Sequence, residues 1–308
     1  MADHALPAEL AETHVLHARG GVALLLRRDW EDALPVEAML EGAPLTAWGA
    51  AVPHTLSGRG GIEVLSTARG EIVAKRLARG GLLGGLLRHL FLDARRPWRE
   101  AVVAEGLRRA ALVTPEIVVA RSTRRAGCFH ELEIATARVS GATDLLAALR
   151  ARGPDEALGR AAGATLRALH DAGLRHRDLQ ARNLLVPAGF PGAGGSAEPD
   201  GLIVIDLDRC TLGAPLDATE RVAALARLGR SLVKTGVLPR RGLGDRDALA
   251  ACRAALRSYG GLGTSGPAAL LGAVARRLRR EVALHRPLWP ALPPEQAAPV
   301  SPRPPDGR

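Results

Sequence analysis

Apolar positions in the first part of the chain come in short runs punctuated by glycine and proline: Val22 to Leu26, Ile62 to Leu65 and Ile72 to Ala74. Runs of that length with that punctuation predict β-strands. The stretch Ser57-Gly58-Arg59-Gly60-Gly61 lies just before the second run and predicts a hairpin turn with positive φ angles. Arg96 to Ala111 has helix-forming composition, with Pro97 tolerated in the first turn, acidic residues behind it and Pro115 as a stop. Two more strands are expected at Glu116 to Ala120 and Cys128 to Arg138, followed by the connector Val139-Ser140-Gly141. From Asp144 onward the period becomes helical. In Asp155 to His170, the residues Leu158, Ala162, Leu166 and Leu169 share one face, and Gly173 closes the helix. Two short apolar runs, Asn183 to Val186 and Leu202 to Asp206, flank a Pro/Gly-rich stretch from Pro187 to Gly201 that reads as a mobile surface insertion. Further helices are expected at Ala218 to Val233, Asp245 to Ser258 and Pro267 to Leu284. The pattern therefore describes an α+β chain in three parts: a strand-rich part with one helix at 1–139, a helical part at 140–286, and a proline-rich, poorly ordered tail at 287–308.

Composition narrows the class. With 308 residues, 47% of them hydrophobic and 24% charged, the chain suits one large domain or two lobes and excludes collagen-like or wholly disordered chains. A net charge of +10 favours anionic partners such as phosphates, acidic sugars, nucleic acid or an acidic membrane surface. Aromatic residues make up only 3%, with a single tyrosine, which argues against single-strand nucleic-acid binding by base stacking, and no nucleic-acid partner is expected. Three scattered cysteines, Cys128, Cys210 and Cys252, form no C-x-x-C pair and suggest neither a disulfide framework nor a zinc site. The start lacks the basic and apolar segments of a signal peptide, and no apolar stretch is long enough to span a bilayer. The expectation is a soluble cytoplasmic protein.

Only Lys75 and Lys234 are lysines among 42 basic residues, so a surviving lysine is worth inspecting. Lys75 ends Ile72-Val73-Ala74-Lys75, which resembles the V-A-I-K strand whose lysine reaches the α and β phosphates of a nucleotide. A partner carboxylate is expected from the following helix. Glu100 and Glu105 are both available, but five residues apart they point about 140° from each other. Glu100 is the preferred partner, and Glu105 is then expected to be exposed. Gly58, Gly60 and Gly61 are candidates for covering the phosphates, although short glycine runs are also common in plain turns and the full G-x-G-x-x-G spacing is absent. The strongest signal is His176-Arg177-Asp178-Leu179-Gln180-Ala181-Arg182-Asn183, which fits the kinase catalytic loop H-R-D-L-x-x-x-N, followed by Asp206 in Ile205-Asp206-Leu207-Asp208-Arg209. Phosphoryl transfer needs a carboxylate near the attacking hydroxyl, here Asp178, and oxygen ligands that hold Mg²⁺ against the phosphates of ATP, here Asn183 and Asp206. His176 reads as a packing and hydrogen-bonding residue of the loop. Asp208 reads either as a second metal contact or as a partner of Arg209.

These residues resemble the lipopolysaccharide core kinases, the group of 3-deoxy-D-manno-octulosonic acid (Kdo) kinase and the heptose kinases, which share the protein-kinase-like two-lobe fold. Arg79-Gly80-Gly81-Leu82 resembles the family's R-G-G-L segment and Arg99-Glu100 its glutamate position. Ile205-Asp206-Leu207-Asp208-Arg209 is similar to its I-D-F-D-R motif, and Arg227 to Lys234 to its R-L-x-R-S-L-x-K helix. The loop departs from H-A-D-L-N-A-H-N at Arg177 and at Gln180-Ala181-Arg182. The resemblance implies ATP as donor, a Kdo or heptose hydroxyl of a lipopolysaccharide precursor as acceptor, and work at the cytoplasmic face of the inner membrane. Arg76, Arg79, Arg88, Arg95, Arg96 and Arg99 either serve that polyanionic acceptor or form a solvated surface. The rival readings are a protein kinase, a small-molecule kinase of the aminoglycoside or choline type, and a pseudokinase. Neither D-F-G nor A-P-E follows Asp206, against the first, and Lys75, Asp178, Asn183 and Asp206 are all intact, against the last.

Overall fold

The computed structural model describes residues 5–54, 61–78, 88–190, 201–238, 246–261, 266–285 and 289. Gly58, Gly60, the Arg79 to Leu82 segment, most of the 187–201 stretch and nearly all of the tail lie outside the described residues. The chain divides into two compact units, Met1–Ser140 with Asp206–Cys210, and Gly141–Ile205 with Thr211–Arg308. Asp206–Cys210, which the sequence pattern groups with the helical part, thus belongs with the strands.

The first unit is built on a seven-stranded antiparallel sheet in the order β1-β2-β6-β7-β5-β4-β3. Its strands are β1 (His14–Arg19), β2 (Val22–Arg27), β3 (Ala50–Ala51), β4 (Ile62–Ser66), β5 (Glu71–Arg76), β6 (Ile117–Ala126) and β7 (Phe129–Ala137). Period-two alternation sends Val22, Leu24, Leu26, Ile72 and Ala74 into a core shared with Trp30, Met39 and Trp48 from the segment after β2. Ala23, Leu25, Leu132 and Ile134 alternate with them and are equally buried, while α2 (Arg96–Arg109) packs on β6 and β7. Arg121 on β6 faces its register partner Glu133 on β7 at 2.6 Å and donates to the carbonyls of Met39 (3.0 Å) and Ala43 (2.7 Å). A buried guanidinium satisfied on all these sides fastens α1 (Val36–Leu40) and the chain after it to the sheet. The α2 helix stops at Arg109, ahead of Pro115, because Ala111 turns into the left-handed region at φ 57°.

The second unit contains α3 (Leu145–Arg152), α4 (Glu156–Asp171), α5 (Ala218–Lys234), α6 (Arg246–Tyr259) and α7 (Pro267–His285). Two small sheets join them: β8 (Thr143–Asp144), β10 (Leu184–Val186) and β11 (Ile203–Val204) in one, β9 (Leu174–Arg175) with β12 (Thr211–Leu212) in the other. Asp155 caps α4 by accepting from the Leu158 N–H at 2.7 Å, and the Leu158, Ala162, Leu166 and Leu169 face is buried. A second face of α4 was not visible in the apolar pattern. It carries Gly159 and Gly163, where a Cβ would fall 2.3 Å from the Ala251 carbonyl oxygen and 2.0 Å from that of Ala255, so only glycine lets α6 lie this close. Among the described residues, no helix is long and apolar enough to cross a membrane.

Candidate active site

In the first unit, β5 runs between β4 and β7, with Lys75 paired to Ile62 on one side and Ile134 on the other. Since Ile72 and Ala74 point into the core, Lys75 projects from the opposite face. Its Nζ donates to Asp206 Oδ1 at 2.9 Å and lies 3.9 Å from Glu100 Oε1. Glu100 sits in the second turn of α2 and is only 4% exposed, with Oε2 lacking any hydrogen-bond partner. Burial raises its carboxyl to about 7 against the pull of Lys75. Burial works on Lys75 in the opposite sense, but the carboxylates of Glu100 and Asp206 outweigh it and hold the ammonium well above the ordinary lysine range. The result is one cation that stays charged beside one acid that titrates near neutrality.

Glu105, expected to be exposed, is instead 8% exposed, and its carboxylate takes Arg27 at 3.3 Å. The 140° offset from Glu100 turns it toward a cation that lies far away in sequence. Asp208 is likewise not the partner of Arg209. Arg96, the first residue of α2, grips it with two nitrogens, Nε on Oδ1 at 2.7 Å and Nη2 on Oδ2, while its guanidinium stacks 4.9 Å from the Phe91 ring. That fork anchors the segment bearing Asp206 to the helix bearing Glu100. Asp206 and Arg209 both adopt left-handed backbone, φ 58° and 59°, with Leu207 and Cys210 buried. Aspartate tolerates this region better than most side chains, and such outliers gather at functional sites. Gly61, described without its fellow glycines, has φ 82°, as the turn prediction requires. The basic cluster is largely occupied: Arg76 pairs with Glu131, Arg96 with Asp208 and Arg99 with Asp93, while Arg79 lies outside the described residues.

In the second unit, the loop between β9 and β10 is tied down along its length. His176 is 6% exposed, its Nε2 pairs with the Ile205 carbonyl at 3.2 Å, and its Nδ1 accepts from the Asp178 N–H at 3.3 Å. Those two bonds require the neutral ring with its proton on Nε2. Asn183 Nδ2 donates to the Asp178 carbonyl at 2.7 Å, which leaves Oδ1 as the side chain's acceptor. The Asn183 carbonyl accepts from the Ile205 N–H at 3.0 Å, one residue before the chain reaches Asp206. Leu179 and Ala181 are buried, so the loop is pinned from below while the Asp178 side chain stays exposed. Gln180 Nε2 donates to Asp178 Oδ1 at 2.5 Å. Sequence reading also missed Arg227 on α5, whose Nη1 donates to the His176 carbonyl at 3.3 Å. The only available signal was its place in the R-L-x-R-S-L-x-K stretch. The structure therefore brings Lys75, Glu100 and Asp206 together in one unit and His176, Asp178 and Asn183 together in the other.

A strand lysine held by a helix glutamate and an aspartate in one unit, and a pinned His-Arg-Asp loop closed by asparagine in the other, are the features of a protein-kinase-like phosphotransferase. The chain belongs to the lipopolysaccharide kinase (Kdo/WaaP) family, whose model matches residues 47–254. It is similar to the 3-deoxy-D-manno-octulosonic acid kinase of Vibrio cholerae serotype O1, 25% identical over 182 residues that cover 58% of this chain and 72% of the relative. It is also similar to that of Stenotrophomonas maltophilia, 32% identical over 61% of this chain and 72% of the relative. Among solved structures, WaaP in complex with acyl carrier protein matches with a TM-score of 0.50 at 23% identity, covering 83% of this chain and 98% of that one, and supports the protein-kinase-like fold. The chain is an ATP-dependent phosphotransferase of the lipopolysaccharide core.

Proposed function

We propose that this kinase transfers the γ-phosphoryl group of ATP to a hydroxyl of 3-deoxy-D-manno-octulosonic acid on a lipopolysaccharide precursor, working peripherally at the cytoplasmic face of the inner membrane. The observation that carries the residue assignment is the Lys75 ammonium held by Glu100 and Asp206. In this reading Lys75 binds nucleotide phosphates and Glu100 positions Lys75. The glycine segment with Gly58, Gly60 and Gly61 covers the phosphates. The amide oxygen of Asn183 and the carboxylate of Asp206 are hard oxygen donors of the kind magnesium takes, and they would hold it. Magnesium, when bound, neutralises phosphate charge. Asp178 orients the acceptor alcohol and takes its proton late in the transfer, with its loop kept in shape by His176, Asn183 and Arg227. The preference for Kdo over heptose rests on the named relatives, all of them Kdo kinases.

The test offers radiolabelled ATP with a Kdo-lipid A precursor, a heptosylated core and a generic protein in parallel. Label in the Kdo precursor is expected. Label in the heptosylated core alone would move the assignment to heptose, and label only in protein would overturn the sugar reading.

A further inference from the structure

Helix α7 has two unlike faces. One is held inward: Leu270 is buried, Leu278 lies over Gly229 of α5, and Val282 packs against the cluster of Val233, Leu238 and Ala248. The other is exposed and carries Arg276, Arg277, Arg279 and Arg280 within five consecutive positions. In a chain this rich in arginine the ordinary fate of the residue is a carboxylate partner, as at Arg76, Arg96, Arg121 and Arg175. On α7 only Arg277 has one, Glu281 at 3.0 Å, and Glu281 is shared with Arg230 at 3.3 Å. Among the described residues Arg276, Arg279 and Arg280 have none. Between α5 and α7 runs a groove of about 340 Å³ lined by Val222, Ala273, Arg276, Arg277, Arg280 and Glu281. An adjoining hollow of about 280 Å³ extends it over Ala218 and Thr219. One turn beyond Arg280, Leu284 stands 73% exposed.

We infer that this face of α7, with its groove against α5, is the surface on which the kinase lies against an anionic lipid bilayer. The inference deepens the reading above, where the acceptor is anchored in a membrane. An exposed helix face that carries four arginines, with Ala269, Ala273, Ala283 and Leu284 as its small and apolar neighbours, is complementary to a surface of lipid phosphates, which attracts each cation near it. A protein partner fits the composition less well. The nineteen residues of α7 include no aromatic, methionine, serine, threonine, asparagine or glutamine to serve as an anchor or a directional hydrogen-bond group.

Co-sedimentation of the full chain with phosphatidylcholine vesicles, with and without 30% phosphatidylglycerol, tests the inference at low and high salt. Partitioning onto the anionic vesicles, lost at high salt, is expected. Arg276→Gln/Arg280→Gln should weaken it about 25-fold, at about fivefold per charge, and Leu284→Asp should weaken it independently, both with an unchanged melting temperature. The double variant should also phosphorylate a deacylated, water-soluble acceptor at the wild-type rate and lose rate only on the acylated acceptor in vesicles. Failure of wild type on both acceptors would count against the proposed function and leave the vesicle result standing. Wild type that ignores anionic vesicles, variants that bind as wild type does, or binding to acyl carrier protein without vesicle binding would each overturn the surface.

Discussion

The Lys75 group and the His176–Asn183 loop are two ways of holding a reactive side chain. Around Lys75 the forces are charges: one ammonium, two carboxylates and a further arginine–aspartate fork. Around Asp178 they are hydrogen bonds from amides and a neutral imidazole. The charge-held group responds to pH through its buried acid, Glu100. The two units repeat the contrast in their buried titratable residues. Glu100 is raised by burial from 4.5 to about 7. His170, bonded to the Tyr259 hydroxyl at 2.8 Å and close to Arg221, is lowered by burial from 6.5 to about 4, with Arg221 adding to the effect.

The largest effect is expected at Asp178. Asp178→Asn should lose ~10²- to 10⁴-fold in kcat, the usual worth of a general base, while keeping the fold of the loop, whose hydrogen bonds use the Asp178 backbone as much as its side chain. Next is the pH profile. Below about pH 7 Glu100 takes up a proton and loosens its hold on Lys75, so kcat/KM should fall about tenfold per pH unit. Glu100→Gln should be slow and flat over the same range, and an unchanged acid limb in that variant would separate Glu100 from the reaction.

Stability should sharpen the contrast with opposite signs. Glu100 has a folded pKa above its unfolded one, so the native state binds the extra proton and stability falls as pH rises from about 4.5 to 7. Glu100→Gln should therefore match wild type near pH 4 and melt higher at pH 8. His170 has a folded pKa below its unfolded one, so its contribution is present above 6.5 and is lost as pH falls toward 4. His170→Gln should lack that acid loss in melting curves. Smallest of all, Arg227→Ala removes one bond to the His176 carbonyl and should cost about fivefold in kcat, on the order of 1 kcal/mol, with KM for ATP unchanged. A shift in KM for ATP instead would place Arg227 with the nucleotide.

The parts legible in the sequence are those written in local pattern. Short apolar runs bounded by glycine and proline located β2, β4 and β5, and helix-forming composition and helical periodicity located α2 and α4 to α7, within a few residues, while the spacing of Lys75, Asp178, Asn183 and Asp206 is covalent and readable directly. Two kinds of feature stayed hidden. His14–Arg19 is an edge strand with mixed polarity, half-buried to exposed along most of its length, so it has no alternation to read. Ala50–Ala51 is too short to carry any pattern. Ionic partners across the sequence are the other kind. Nothing near Glu105 announces Arg27, and nothing near Asp208 announces Arg96, which lies 112 residues away. The same blindness hid the role of Gly159 and Gly163, which are where α6 approaches.

The most direct test of the account measures ATP affinity by calorimetry and single-turnover transfer to the Kdo precursor in parallel, for wild type, Asp178→Asn and Lys75→Ala. Asp178→Asn is expected to bind ATP as wild type does and barely transfer, while Lys75→Ala loses both. Wild-type transfer by Asp178→Asn, or undiminished ATP binding by Lys75→Ala, would contradict it.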